Sequence, residues 1–197
     1  MVARSHFVLI ALLIDVLAGL FGVAFVMPDA APEAVPAAIA DLPVVRADAP
    51  GVTRDGARVL VGGAPFSGRL ERPAADGSRV VTDYADGLRH GDERAWTADG
   101  RPLAHRVFRE GRREGLHTGW WPDGSLRQLA RFADDRHEGV TLRWHVNGRL
   151  AQSSNYADGQ EAGRQQAWAA DGTLRANYIV ADGRRYGLVG AKPCSTP

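Results

Sequence analysis

Hydrophobic and polar residues follow two different patterns along this chain. Phe7 to Met27 is an almost unbroken apolar run, FVLIALLIDVLAGLFGVAFVM, interrupted by a single charge at Asp15. Beyond Phe66 the apolar residues are instead scattered singly, at short even intervals, between glycines and charged side chains. The first pattern predicts a helix, because a rise of about 1.5 Å per residue carries such a run across the roughly 30 Å core of a bilayer. The second predicts short strands joined by tight turns.

The scattered residues are periodic. Glycines stand at Gly91, Gly115, Gly139, Gly163 and Gly187, each 24 residues after the last, and tryptophans at Trp96, Trp120, Trp144 and Trp168 keep the same interval. A turn dipeptide recurs in phase as Asp99-Gly100, Asp123-Gly124, Asn147-Gly148 and Asp171-Gly172. Leu126, Leu150 and Leu174 follow, with Pro102 in the first full unit, then Phe108, Phe132 and Tyr156, with Tyr84 upstream. A second turn is marked by Gly87, Gly111, Gly159 and Gly183, with Asp135 in the remaining place. Several columns in phase over four units define an internal repeat. Phe66-Ser67-Gly68, Asp76-Gly77 and Tyr84 form one degenerate unit before them, and Asp55 to Gly63 fits a further half-unit. A unit of this length is too short for two helices, so it reads as strand, turn, strand, turn.

Turn type follows from the spacing. Trp120 and Leu126 lie six apart across Pro122-Asp123-Gly124. A three-residue loop with glycine in the left-handed region sets them opposite each other on one face, whereas a two-residue loop separates them. Strict alternation beyond the turn then places Leu126, Ala130 and Phe132 on that face, giving a single ladder of Trp, Leu and Phe or Tyr in which the tryptophans are core. The expected fold is an all-β repeat: an elongated single-layer antiparallel sheet of stacked hairpins, preceded by one N-terminal transmembrane or signal helix.

Four segments result. Residues 1–28 are the signal peptide or signal anchor, 29–56 an Ala/Pro-rich linker, 57–190 the repeat array and 191–197 a C-terminal tail. Arg4 precedes the apolar run, and Asp29, Glu33 and Asp41 follow it, so the positive-inside rule puts the array outside the cytoplasm. The run exceeds the 7–15 residues usual in cleaved signals, which favours an inner-membrane, single-pass anchor through residues 7–27; a cleaved signal would leave the array periplasmic.

Charge and cysteine content narrow the function. Lys and Arg number 24 against 23 Asp and Glu, and all but one of the basic residues are arginine. That balance argues against a nucleic-acid partner. Cys194 is the only cysteine, so it forms no internal disulfide and no CxxC zinc knuckle. None of the six histidines recurs in phase, no H-E-x-x-H or phosphate loop occurs, and the aspartates before glycine are accounted for by turn chemistry. No catalytic, cofactor-binding or metal-binding residues are assigned, and the chain is expected to be no enzyme.

The pattern G-x4-W-x2-(D/N)-G-x-L-x5-(F/Y) resembles the bacterial variant of the MORN repeat, the family of YwqK-type antitoxin-like repeat proteins. Gly63-Ala64-Pro65-Phe66-Ser67-Gly68 looks like the opening unit of such arrays. The resemblance covers about residues 57–190 and implies a single-layer sheet of hairpins with no catalytic residues. It also implies binding roles, since related arrays are associated with phospholipids and with scaffolding.

One residue breaks the repeat. Trp121 has Thr97, His145 and Ala169 as counterparts, and by alternation it points away from Trp120. Ser125, Arg127, Leu129 and Arg131 are expected on that same face, with Arg149 and Arg175 in later units. An exposed tryptophan beside arginines has the composition of a binding hot spot, so Trp121, Arg127 and Arg131 form the candidate partner site. The expected function is a membrane-tethered extracytoplasmic scaffold for a protein, glycan or lipid headgroup. The alternative is an antitoxin-like protein that neutralises a cognate effector.

Overall fold

The computed structural model describes residues 43–188. The apolar run at residues 7–27, expected to be a membrane or signal helix, the first part of the expected linker and Cys194 lie outside them. The described chain is all β. Its strands in order are β1 (Val44–Arg46), β2 (Val52–Asp55), β3 (Arg58–Val61), β4 (Ala64–Pro65), β5 (Gly68–Pro73), β6 (Arg79–Ala85), β7 (Leu88–Trp96) and β8 (Pro102–Arg109). They continue as β9 (Arg112–Trp120), β10 (Leu126–Ala133), β11 (Arg136–His137), β12 (Gly139–Trp144), β13 (Leu150–Ala157), β14 (Gln160–Trp168), β15 (Leu174–Ala181) and β16 (Arg184–Leu188). From β5 to β16 successive strands pair in an antiparallel sheet, except that β10 pairs with both the two-residue β11 and β12, while β1 adds to β5 in parallel and β2, β3 and β4 make a separate small sheet. β1 and β2 lie in the segment expected to be linker. Val45 of β1 and Val52 of β2 pack on a cluster of Val59, Phe66, Leu70 and Tyr84 while Val44 is exposed, and strands this short leave no readable periodicity.

Two turns alternate, and they differ in kind. At the tryptophan end the backbone N–H of Trp121 donates to Ser125 O at 2.8 Å and that of Gly124 to Trp121 O at 2.9 Å. Gly124 has φ +90°, a left-handed conformation that carries no steric cost without a side chain. This is the expected three-residue loop, and it sets Trp120 directly opposite Leu126. The same pairing joins Trp96 to Pro102, Trp144 to Leu150 and Trp168 to Leu174. The aspartate or asparagine closes the loop from within: Asp123 Oδ1 accepts the Ser125 N–H at 2.8 Å, and Asp76, Asn147 and Asp171 repeat the bond.

The other end uses two-residue loops with both residues left-handed, as in type I′ turns: Asp86-Gly87, Glu110-Gly111, Asp134-Asp135, Asp158-Gly159 and Asp182-Gly183. Asp135 carries φ +67° without glycine's freedom. Its carboxylate holds the Arg113 N–H at 2.9 Å and the Arg113 Nε at 3.0 Å, interactions that offset the strain.

Beyond the tryptophan turn strict alternation fails. One extra residue, Leu103, Arg127, Ala151 or Arg175, interrupts the register in each unit: Trp120 faces Leu126, but Gly119 faces Gln128. Such a β-bulge shifts every later side chain on its strand to the opposite face from that predicted. Phe132 therefore pairs with Gly115 and Ala130 with His117, on the face opposite Trp120. Leu129 and Arg131 pair with Thr118 and Leu116 on Trp120's own face. The sheet has a tryptophan face (Trp, Leu) and a phenylalanine face (Tyr84, Phe108, Phe132, Tyr156), in place of one mixed ladder.

This split alters the energetics. Phe108 and Phe132 are 3% and 5% exposed, and Tyr84 is likewise buried, whereas all four repeat tryptophans are only half-buried. The expectation that the tryptophans are the core is thus corrected; with no second layer above it, an indole is covered by its in-plane neighbours alone. Phe132→Ala should cost about 3–5 kcal/mol, as for core aromatics, and Trp144→Ala about half of that. Urea unfolding of both variants checks this, and an equal or larger loss for Trp144→Ala would contradict the assignment.

Candidate binding face

The phenylalanine face is built from repeat columns that alternate aromatic and cationic groups. Positions 89, 113, 137, 161 and 185 hold Arg, Arg, His, Glu and Arg. The Arg89 guanidinium lies 4.0 Å from the Phe108 ring centre, and that of Arg113 lies 4.3 Å from Phe132. His137 takes the same place one unit later and stacks on Tyr156, with ring centres 4.8 Å apart. A continuous run of rings results, Phe108, His117, Phe132, His137 and Tyr156, with successive centres 4.2–5.8 Å apart. Each planar cation gains from the negative face of a ring and shields it from water. The histidine and arginine columns were missed in the sequence because residue identity changes within them; the 24-residue interval was nevertheless there.

A second column, Glu93, His117, Thr141 and Gln165, is polar and buried throughout. Glu93 accepts from Arg106 Nη1 at 2.6 Å and from Thr82 Oγ1 at 3.1 Å. His117 Nε2 lies 2.9 Å from Val107 O. Gln165 Nε2 donates to Asn155 O at 2.7 Å. At the far end Glu161 receives Arg185 at 2.9 Å and the Tyr178 hydroxyl at 3.2 Å. Between Glu93 on β7 and Glu161 on β14, the described strand positions of this face carry Arg106, Arg113, Arg127 and Arg143 and no carboxylate.

The three residues proposed from sequence are divided by the bulge. Trp121 and Arg127 come together on the phenylalanine face, the guanidinium 5.7 Å from the indole centre. A side chain at Gly119 would come within 3.2 Å of the Arg127 Nη2, so glycine there lets the guanidinium lie over the sheet. Arg127 makes no ion pair among the described residues. Arg131 is on the other face, opposite Leu116. Trp121 is half-buried, and its Nε1–H donates to Trp144 O of the next unit at 3.3 Å. His145, its counterpart, places Nε2 2.9 Å from Trp168 O, so a ring nitrogen serves the same inter-repeat bond twice. A cavity of about 190 Å³ opens beside Arg127, lined by Arg106, Arg113, His117, Gly119 and Gln128.

The tryptophan face bears a different cluster near its start. Asp83 is buried, receives Arg69 Nε at 3.3 Å and accepts the Asp92 N–H at 3.2 Å. Burial pushes its carboxyl above the usual range. Burial also acts on Asp92, but the bond from His105 at 2.8 Å and the neighbouring charges of Arg94, His105 and Arg69 outweigh it and hold that carboxyl low. Among the described residues no cluster of three or more His, Cys, Asp or Glu side chains could hold a metal ion.

No family model matches the chain, and no curated protein matches it in sequence.

Burial, with the charges of Arg106 and Arg113, lowers the His117 pKa from its ordinary 6.5. Burial and Arg113 and Arg143 do the same to His137. Because the folded value lies below the unfolded one, the unfolded chain takes up protons first. Stability is then fully present above about pH 6.5 and declines as pH falls through that value toward the folded-state pKa. His117→Gln, which installs the residue that the repeat already uses at Gln165, should flatten the decline in urea midpoint between pH 7 and pH 5. An unchanged slope in this variant would contradict the role given to His117.

Proposed function

We propose that the chain is a non-enzymatic binding scaffold whose phenylalanine face receives the anionic groups of a partner protein, glycan or lipid headgroup. The observation that carries the reading is the set of arginines between Glu93 and Glu161, of which Arg127 and Arg143 have no carboxylate partner among the described residues. A stacked guanidinium keeps its in-plane N–H edges free, the geometry suited to carboxylates and phosphates. The phenylalanine and tyrosine rings beneath are covered, so they hold the cations in place rather than meet the partner themselves.

The resemblance to bacterial MORN variants supports a binding role for the array. The apolar run at residues 7–27 supports its placement outside the cytoplasm on a membrane tether. An antitoxin-like role is the second reading, and the two part on compartment: neutralising a cytosolic effector needs the array in the cytoplasm, which a C-terminal reporter active only outside it would test.

Face and charge are tested together with a defined polyanion. The protein should be retained on immobilised heparin and elute as salt rises, because exposed charges are screened. Arg127→Ala should elute at clearly lower salt, losing about 0.5–1 kcal/mol, whereas Arg131→Ala on the opposite face should elute like the native chain. Equal losses from the two variants, or no retention, would refute the assignment.

A further inference from the structure

We infer that the chain pairs with a second copy of itself through β16, edge to edge and antiparallel, about a two-fold axis at Tyr186. The two ends of the large sheet are finished differently. At the first end the outermost strand, β1, has three residues, and the small β2–β4 sheet closes over the adjacent core of Val59, Phe66, Leu70 and Tyr84. Short edge strands and covering elements are the usual protection against edge pairing. At the other end β16 has five residues, pairs among the described residues only with β15 and is exposed at every position. This last described hairpin exposes apolar side chains beside Arg184 and Arg185, where a capping repeat would carry a polar outer face.

The apolar surface is concentrated there. Ile179, Tyr186 and Leu188 are 47%, 55% and 46% exposed, and Leu174 joins them at 41%. Ile179 pairs with Tyr186 and Asn177 with Leu188, so the three lie together on the tryptophan face of the last hairpin. They expose on the order of 300 Å², the size of the largest apolar patch on an ordinary monomer and a common mark of an interface. The phenylalanine face that carries the anion site is not used, so this contact stands apart from the function proposed above.

Self-complementarity selects the occupant. With Tyr186 on the axis, Arg184 lies opposite Leu188 of the second copy and Arg185 opposite its Gly187. No like charges then face each other, and each arginine stem lies along apolar or open surface. A register centred on Arg185 would set two guanidiniums opposite, which is destabilising. Among the described residues the β1 edge is only three residues long and exposes Val44 as its one apolar side chain, so the contact closes as an isologous dimer instead of growing head to tail. Two apolar patches become continuous, and the ladder of backbone hydrogen bonds runs through the junction.

The full chain is tested by light scattering and by cysteine crosslinking. The native protein should have dimer mass at micromolar concentration, and Tyr186→Asp should halve that mass without lowering the melting temperature. In a Cys194→Ser background, Tyr186→Cys should oxidise to a covalent dimer at least roughly tenfold faster than Val146→Cys, an exposed loop control, because the axis holds the two thiols at high effective concentration. A native monomer, a dimer that survives Tyr186→Asp, or equal crosslinking of the two cysteine variants would each overturn the inference. The last two outcomes would point to association through another segment.

Discussion

Each unit of this sheet depends on backbone held in the left-handed region, at the three-residue loop, at the two-residue loop and again within the strand that joins them. A single layer has no second sheet to enforce register from above, so register is set where the chain turns. Gly124 and its equivalents close loops that bring tryptophan and leucine face to face. Gly91, Gly115, Gly139 and Gly163 bend the strands inside each unit, where their neighbours change register or break. The one-residue bulge at Arg127 and its counterparts completes the arrangement and decides which side chains share a face. Propagation is then nearest-neighbour, as stacked repeats require. Side chains bridge consecutive units along the same line: Glu114 accepts the Asp134 N–H at 3.1 Å and Glu138 the Asp158 N–H at 3.0 Å.

Separation of the faces gives each a distinct physical role. Tryptophan and leucine cover the tryptophan face only partly, leaving an apolar surface that stays exposed at Ile179 and Tyr186. On the phenylalanine face Phe108, Phe132 and Tyr178 each lie under an arginine, which converts a hydrophobic stripe into one that presents guanidinium groups. A covered ring under a fixed cation costs little side-chain entropy when an anion binds, because Arg113 and Arg127 are already held by Asp135, Phe132 and Trp121. That combination supports a binding reading better than any isolated residue does.

Much of the fold was legible in the residues. The repeat interval, the strand–turn–strand–turn order and the three-residue loop at Pro122-Asp123-Gly124 all followed from spacing, because turns demand particular residues at particular places. What alternation could not supply was the bulge. Leu103, Arg127, Ala151 and Arg175 have no single character in common, two being aliphatic and two arginine, so nothing in the sequence distinguishes the extra residue. That omission put Phe132 on the wrong face and joined Arg131 to Trp121. The break in pattern at Trp121 was visible, but its bond to Trp144 O and the matching bond from His145 to Trp168 O need coordinates. The short strands β1 and β2 were hidden for a simpler reason: three or four residues are too few to show a period.

The division into two faces is the central claim, and a pair of double-mutant cycles measures it directly. His117 and Phe132 share a face with ring centres 4.6 Å apart, whereas Trp120 stands across the sheet from both. Stabilities of the single and double alanine variants should give a coupling of about 0.5 kcal/mol or more for His117 with Phe132, and within about 0.3 kcal/mol of zero for Trp120 with Phe132. Strong coupling between Trp120 and Phe132, with none between His117 and Phe132, would restore a single mixed ladder and contradict the account.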